Sequence, residues 1–153
     1  MPNLHTRKAT NSDLPTLLRF EQGVILAERP YDSDIKPDPV HYYDINELIS
    51  ASHIELIVAE LDGKVIGCGY ARIEKSRHFL RHPFNAYLGF MYVDPAHRGK
   101  GVNKEIIEAL KQWALFQNTS ELRLEVYEGN LPAIQAYEKA GFSKQIINMR
   151  MDI

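Results

Sequence analysis

Arg98-Gly99-Lys100-Gly101-Val102-Asn103-Lys104 sets two glycines and three cations between an apolar run and an amphipathic one. The chemistry this suits is the binding of a pyrophosphate. Glycine lets a backbone approach a ligand closely and take positive φ, and the first N–H groups of a following helix have no intrahelical partner and attract anions. Upstream, Ala86-Tyr87-Leu88-Gly89-Phe90-Met91-Tyr92-Val93 is rich in strand formers and stops at Asp94-Pro95, where the residue before proline avoids the helical region. Downstream, Ile106, Ile107, Leu110, Trp113 and Ala114 mark one helical face, and Glu105, Glu108, Lys111 and Gln112 the other. Glycines and cations in a turn also occur as a plain solvated connection, so the order strand, loop, helix carries the reading. Neither G-x-x-x-x-G-K-[ST] nor an early G-x-G-x-x-G with an acidic ribose ligand is present, which removes the main support for nucleotide hydrolysis and dinucleotide redox chemistry.

A second group of candidates follows. Leu122, Leu124 and Val126 alternate as a strand, which turns Glu125 to the opposite face. Asn130 caps a helix with Pro132 in its first turn and Gly141 just past its end. Tyr137 shares that helix with Ala133, Ile134 and Ala140. A phenol can give a proton and a carboxylate can take one. Tyrosine on an amphipathic helix is equally a packing residue, and Glu125 equally a partner for Arg123 or for a cross-strand neighbour.

These two segments resemble the central motifs of the GCN5-related N-acetyltransferases. The first motif, [RQ]-x-x-G-x-[GA], is occupied by Arg98, Gly101 and Asn103, and Asn103 is its one departure. The second, N-x-x-A-x-x-x-Y-E-K-x-G-F, is met in full from Asn130 to Phe142. The resemblance extends to Thr6-Arg7-Lys8-Ala9-Thr10 and Asp13-Leu14 near the start of the chain. It implies one α/β domain over residues 1–153: a mixed, mostly antiparallel sheet flanked by helices, with a central pair of parallel strands, one ending at Val93 and the other covering Leu122 to Tyr127. Their splaying would open a slot for acetyl-CoA as co-substrate, with no metal. The cofactor-binding residues it implies are Met91, Tyr92, Val93, Arg98, Gly99, Lys100, Gly101, Val102, Asn103, Lys104, Asn130 and Tyr137. At Asn103 it implies a side chain where the family has a small residue, with the amide turned inward.

Transfer of an acetyl group to a primary amine of a small molecule or peptide, by direct attack in a ternary complex, is the activity implied. Thioester aminolysis needs a neutral amine, an oxyanion stabiliser and a proton for the departing thiolate. By resemblance the oxyanion donors are backbone N–H groups from Met91 to Val93, and Tyr137 is the general acid. Glu125 is the first choice of base, its Leu-Glu-Val setting resembling the branch that acetylates ribosomal-protein amino termini. A water chain and Tyr92 are the alternatives. The rival from another class is a non-catalytic acyl-CoA sensor that keeps the slot and binds a partner protein through its proline-rich loop.

Charge divides the chain. From Arg72 to Lys104 seven Lys or Arg stand against two Asp or Glu, which suits the CoA phosphates, whereas Glu28 to Glu55 holds seven acidic residues against two basic ones. The expected acceptor is therefore a cationic amine, attracted by Asp32, Asp34, Asp38 and Asp44 and packed by Tyr31, Tyr42 and Tyr43. The same acidic segment also reads as a solvated loop. The basic segment lacks the interleaved aromatics of a nucleic-acid surface.

One hundred and fifty-three residues at a formal net charge of −2 fit one domain and give no global case for nucleic acid or membrane as partner. Met1-Pro2-Asn3-Leu4-His5 lacks an apolar signal core, and cytoplasmic residence is the expectation. Cys68 is alone and reads as a packing residue; His78 and His82 have no acidic or thiol partner nearby. A strand is expected over Leu4 to Ala9, then a capping box of Thr10 and Asp13 before a helix carrying Leu14, Leu17, Leu18, Val24 and Ile25. A short helix is expected near Ile45 to Ser50, and a hairpin of Ile54 to Leu61 with Lys64 to Ile73 turning at Asp62-Gly63. Ser143 to Ile153 predicts one or two final strands, with Met149 to Ile153 placed to pair across a homodimer.

Overall fold

The structure, a computed structural model, describes residues 2–153. In chain order it contains β1 (Leu4–Lys8), α1 (Leu14–Glu28), α2 (Ile45–Ser50), β2 (Ile54–Leu61), β3 (Lys64–Lys75), β4 (Phe84–Val93), α3 (Val102–Phe116), β5 (Leu122–Arg123) and α4 (Leu131–Lys139). One sheet takes the strands in the order β1-β2-β3-β4-β5, antiparallel through β4 and parallel between β4 and β5.

Local chemistry sets the element ends. Asp62 and Gly63 have φ of 51° and 80°, the mirror-image turn whose twist matches a two-residue hairpin. The Asp13 carboxylate accepts the Thr10 N–H at 2.8 Å and both arms of the Arg7 guanidinium at 2.9 Å, so the capping residue of α1 is also bolted to β1. The hydrogen bonds from Arg7 hold the Asp13 carboxyl below the usual carboxylate range.

Side-chain alternation gives the sheet two apolar faces. On one, Leu17 and Phe20 of α1 and Leu48 and Ile49 of α2 cover Ile54, Leu56, Val58, Cys68, Tyr70 and Phe90. On the other, Val102, Ile106, Leu110 and Ala114 of α3 cover Ala59, Ile66, Ala71, Ala86 and Leu88. The buried stripe of α1 is Leu17, Phe20, Glu21 and Ile25, and Leu18, expected inside, is 40% exposed because it falls off that stripe. Cys68 is fully buried, and burial pushes its thiol up; it packs and donates toward the Phe90 carbonyl.

Two expected strands differ. The alternation over Leu122 to Tyr127 forms a ladder only at Leu122 and Arg123, opposite Ala86 and Tyr87, because the two chains diverge beyond that point. From Ser143 to Ile153 no strand forms among the described residues, and Ile146, Ile147, Met149, Met151 and Ile153 lie exposed. Side chains tether this arm instead: Arg123 donates to Gln145 at 3.2 Å, and Arg150 pairs with Asp32 at 2.9 Å and with Asp34.

Candidate active site

The site begins at an irregularity in β4. Tyr70 faces Gly89 and Cys68 faces Tyr92, so Phe90 and Met91 together stand opposite the single residue Gly69. This is a β-bulge, and Phe90 takes a φ of 53° within it. Beyond it the Asp94 N–H donates to the Ile66 carbonyl at 2.8 Å. Alternation along an antiparallel strand then directs the Met91 and Val93 N–H groups away from β3. On that side β5 pairs only with Ala86 and Tyr87, so the edge of β4 from Leu88 to Val93 borders an open slot.

At the end of this edge lies the glycine loop. Gly99 and Gly101 have φ of 73° and 84°, while a Cβ at either would meet nothing within 4 Å. Backbone conformation, not crowding, is what demands glycine. Gly101 is the N-cap of α3 and offers no capping side chain, and the first bond of the helix runs from the Glu105 N–H to the Gly101 carbonyl at 3.2 Å. The N–H groups of Val102, Asn103 and Lys104 therefore lack intrahelical acceptors and point out of the helix start. A groove of about 360 Å³ opens here, lined by Leu4, Lys100, Gly101, Lys104 and Glu105.

Arg98 folds back, its Nε donating to the Val93 carbonyl at 2.8 Å and its guanidinium 5.6 Å from the centroid of Tyr92. Lys100 Nζ donates to the Ala96 carbonyl at 3.3 Å. Val102 is 1% exposed with its side chain in the core, so only its backbone faces the loop. Asn103 is half-buried. Donors at a helix start beside two lysines suit a pyrophosphate, and an unpaired strand edge leading to them suits an amide-bearing arm.

The second motif supplies the next two residues. Asn130 caps α4, its side-chain oxygen accepting the Ala133 N–H at 3.4 Å. Tyr137 sits half-buried with its ring edge-on to Phe142, centroids 5.8 Å apart. Burial, and then the negative charge of Glu28, push its phenol up to about 12. The phenol therefore keeps its proton at neutral pH. Glu28, at the last turn of α1, is itself half-buried, and burial raises its carboxyl.

A cavity of about 510 Å³ opens on the face of the sheet that carries α1 and α2. Tyr42, Tyr43, Asp44, Glu47 and Leu48 form one wall, and Ile54, Tyr70, Arg72, Glu74, Tyr87 and Glu125 form its floor and far side. Tyr87 donates to Glu125 at 3.2 Å, and burial with the nearby Glu125 raises the Tyr87 phenol. The Arg72 guanidinium, bound to Glu74 at 2.7 Å, lies 5.6 Å and 5.5 Å from the Tyr70 and Tyr87 centroids.

Of the residues expected to receive an acceptor, the structure brings Tyr42, Tyr43 and Asp44 together here, beside Glu125, the residue expected as base. Asp44 also caps α2 through the Glu47 N–H. Asp32 instead accepts from Tyr127 and Arg150, each at 2.9 Å, and Asp34 pairs with Arg150. Asp38 pairs with Arg29 at 2.9 Å, and Tyr31 stacks on Tyr127 with centroids 6.3 Å apart. Those four residues lie outside the cavity lining. Tyr70, Arg72 and Glu74 were missed. Their period-two spacing on one strand face was the signal available for them.

A splayed parallel strand pair, an anion loop at a helix start and an open cavity across the sheet define an acyl-CoA-binding class of α/β enzyme. A sequence profile of the Acetyltransferase (GNAT) family matches residues 22–142, and the chain belongs to that family. Streptothricin acetyltransferase of Escherichia coli is 32% identical over 126 residues, which is 80% of this chain and 63% of the relative's own length. Among solved structures, the BH1408 protein from Bacillus halodurans superposes with a TM-score of 0.87 at 19% identity, covering 97% of this chain and 99% of that one. AAC(6')-Iy, in complex with the bisubstrate analog CoA-S-monomethyl-acetylneamine, gives a TM-score of 0.76 at 22% identity, covering 98% and 99%. Among the described residues no helix is long and apolar enough to cross a membrane, and no three His, Cys, Asp or Glu side chains gather as metal ligands.

Proposed function

We propose that this protein is an acetyl-CoA-dependent N-acetyltransferase acting on a cationic primary amine of a small molecule or peptide. The observation that carries this reading is the unpaired, bulged edge of β4, which leads into the glycine loop. Met91 and Val93 would pair with the pantetheine arm as an added strand, and the N–H groups of Val102, Asn103 and Lys104, with Lys100 and Arg98, would take the phosphates. Bound acetyl-CoA supplies the acyl thioester. Asn130 would fix the start of α4 against it.

The acceptor would enter through the cavity of Tyr42, Tyr43, Tyr70 and Tyr87, where Asp44, Glu47, Glu74 and Glu125 outnumber the one cation, Arg72. The ammonium first loses one proton to water, and the neutral nitrogen then attacks the acyl carbon, after which the carbon–sulfur bond breaks. Glu125 takes the amine proton, directly or through water, and the Tyr137 O–H gives a proton to the sulfur. Two family members support this acceptor class: the E. coli relative is named for streptothricin, and the AAC(6')-Iy complex holds an acetylneamine analog.

Free-thiol release from acetyl-CoA, followed across lysine, spermidine, an aminoglycoside and a basic amino-terminal peptide, tests the reading. Turnover on at least one cationic amine is expected. Tight acetyl-CoA binding without turnover on any of them would make the protein a sensor.

The exposed arm supports self-association as part of this reading. Ile147, Met149, Met151 and Ile153 alternate with Asn148, Arg150 and Asp152, and the outer edge of β5 has no partner among the described residues. A second copy is the proposed occupant. Light scattering should give a dimer, and Ile147→Lys with Met149→Lys a monomer.

A further inference from the structure

One carboxylate of the first helix has no place in the chemistry above. Glu21 is fully buried, 0% exposed, on the apolar stripe of α1. A buried carboxylate is retained only where hydrogen bonds replace its water. Its Oε2 accepts the backbone N–H groups of Tyr42 and Tyr43, both at 2.9 Å, and its Oε1 meets His41 Nδ1 at 2.7 Å. The neighbouring Gln22 donates to the Val40 carbonyl at 3.0 Å. Residues 40–43 belong to no helix or strand, so they have no ladder of their own to fix them. Every one of these bonds runs to α1.

α1 is itself held against the bulged strand. Phe20 packs on Tyr92 with ring centroids 4.7 Å apart, and a Cβ at Gly23 would lie 2.7 Å from the Tyr92 ring. A rigid path therefore runs from the catalytic edge of β4 through α1 to the two tyrosines that wall the cavity. We infer that Glu21 is the positioning residue of the acceptor site: it holds the Tyr42–Tyr43 wall at a fixed distance from β4 and thereby sets acceptor affinity, touching neither substrate. This rests on the cavity being the acceptor site.

Glu21→Met and Glu21→Gln separate positioning from bulk stability. Methionine fills the volume but leaves both N–H groups without an acceptor, whereas glutamine keeps an oxygen for them. For whichever of lysine, spermidine, an aminoglycoside or a basic amino-terminal peptide turns over fastest, Glu21→Met should raise acceptor KM by about tenfold or more, with acetyl-CoA KM within about twofold of wild type. Glu21→Gln should recover most of that loss. Amide exchange at Tyr42 and Tyr43, read without any substrate, should be slow in wild type and fast in Glu21→Met. Should Glu21→Met not fold, the double variant Gln22→Ala with His41→Ala removes the two exposed ties and should raise acceptor KM alone by a smaller factor.

An acceptor KM that stays put while the amides lose protection overturns the inference and leaves the acetyltransferase reading intact. So does a fall in kcat with both KM values unchanged. Wild-type protein that acetylates none of these three amines nor the basic amino-terminal peptide sinks both.

Discussion

The two halves of the proposed site are built on opposite plans. The cofactor half is local: seven consecutive residues, 98–104, supply the turn, the helix start and three cations, and its donors are largely backbone. The acceptor half is assembled from five separate pieces of chain, at 42–48, Ile54, 70–74, Tyr87 and Glu125, and its character is entirely side chain. A backbone site tolerates almost any change that keeps its φ angles. A side-chain site can be retuned one residue at a time without disturbing a backbone turn elsewhere, which is the division of labour expected where one cofactor serves many acceptors.

Gly101→Val attacks the first plan where it is weakest and should have the largest effect. A β-branched residue at φ of 84° is strained, so the loop should change path and acetyl-CoA affinity fall about 100-fold by calorimetry, with little change in melting temperature. Unchanged affinity would show that the loop does not hold the cofactor. Tyr137→Phe tests the seam between the halves. It keeps the ring against Phe142 and removes the proton, so turnover should fall by about 10² with acetyl-CoA affinity retained.

Next in size is a contest within the acceptor half. Glu47→Gln with Glu74→Gln should raise KM for a dicationic amine by about tenfold and flatten its salt dependence. Asp32→Asn with Asp34→Asn should leave both nearly as they are, since these aspartates lie outside the cavity lining and pair with Arg150. The reverse ranking would return the acceptor to the acidic loop.

The smallest effect concerns pH. Burial raises the Tyr43, Tyr70 and Tyr87 phenols above their ordinary value of 10.0. Their contribution to stability is complete below about pH 10 and is lost as pH rises through the higher folded values. Melting temperature should hold to about pH 9.5 and drop above it, less steeply in Tyr43→Phe. Asp13 gives the opposite limb, its contribution being present above 3.8 and lost as pH falls through its lowered folded value.

The same contrast explains what was legible in the sequence. Asp62-Gly63, Thr10 with Asp13, Asn130 and Gly141 each act on their immediate neighbours, so the hairpin and helix ends read directly from spacing. The glycine loop read for the same reason. The pairing of Asp32 and Asp34 with Arg150 spans more than a hundred residues, and no local pattern distinguishes a partnered aspartate from a free one. Glu21 escaped notice because glutamate on a helix is ordinarily solvated. Only the fold reveals that this one faces inward, and the strand pattern of the arm likewise forms no ladder within the described residues.

The bulge at Phe90 acts on β4 as a frame shift acts on a message. Before it, Tyr87 and Gly89 face α1 and α2 while Ala86 and Leu88 face α3; after it, Tyr92 faces α1 while Met91 and Val93 face α3. Odd positions change sides at one residue. The same sequence run through Phe90 in plain alternation, without the extra residue being bulged out, would carry Tyr92 into the α3 layer, put Met91 and Val93 beneath α1, and exchange which of their N–H groups look into the slot. The one extra residue at the bulge thus sets which layer residues 91–93 face, and lineages of this chain should accept insertions in the Ser76–Pro83 connection before the strand far more readily than within it.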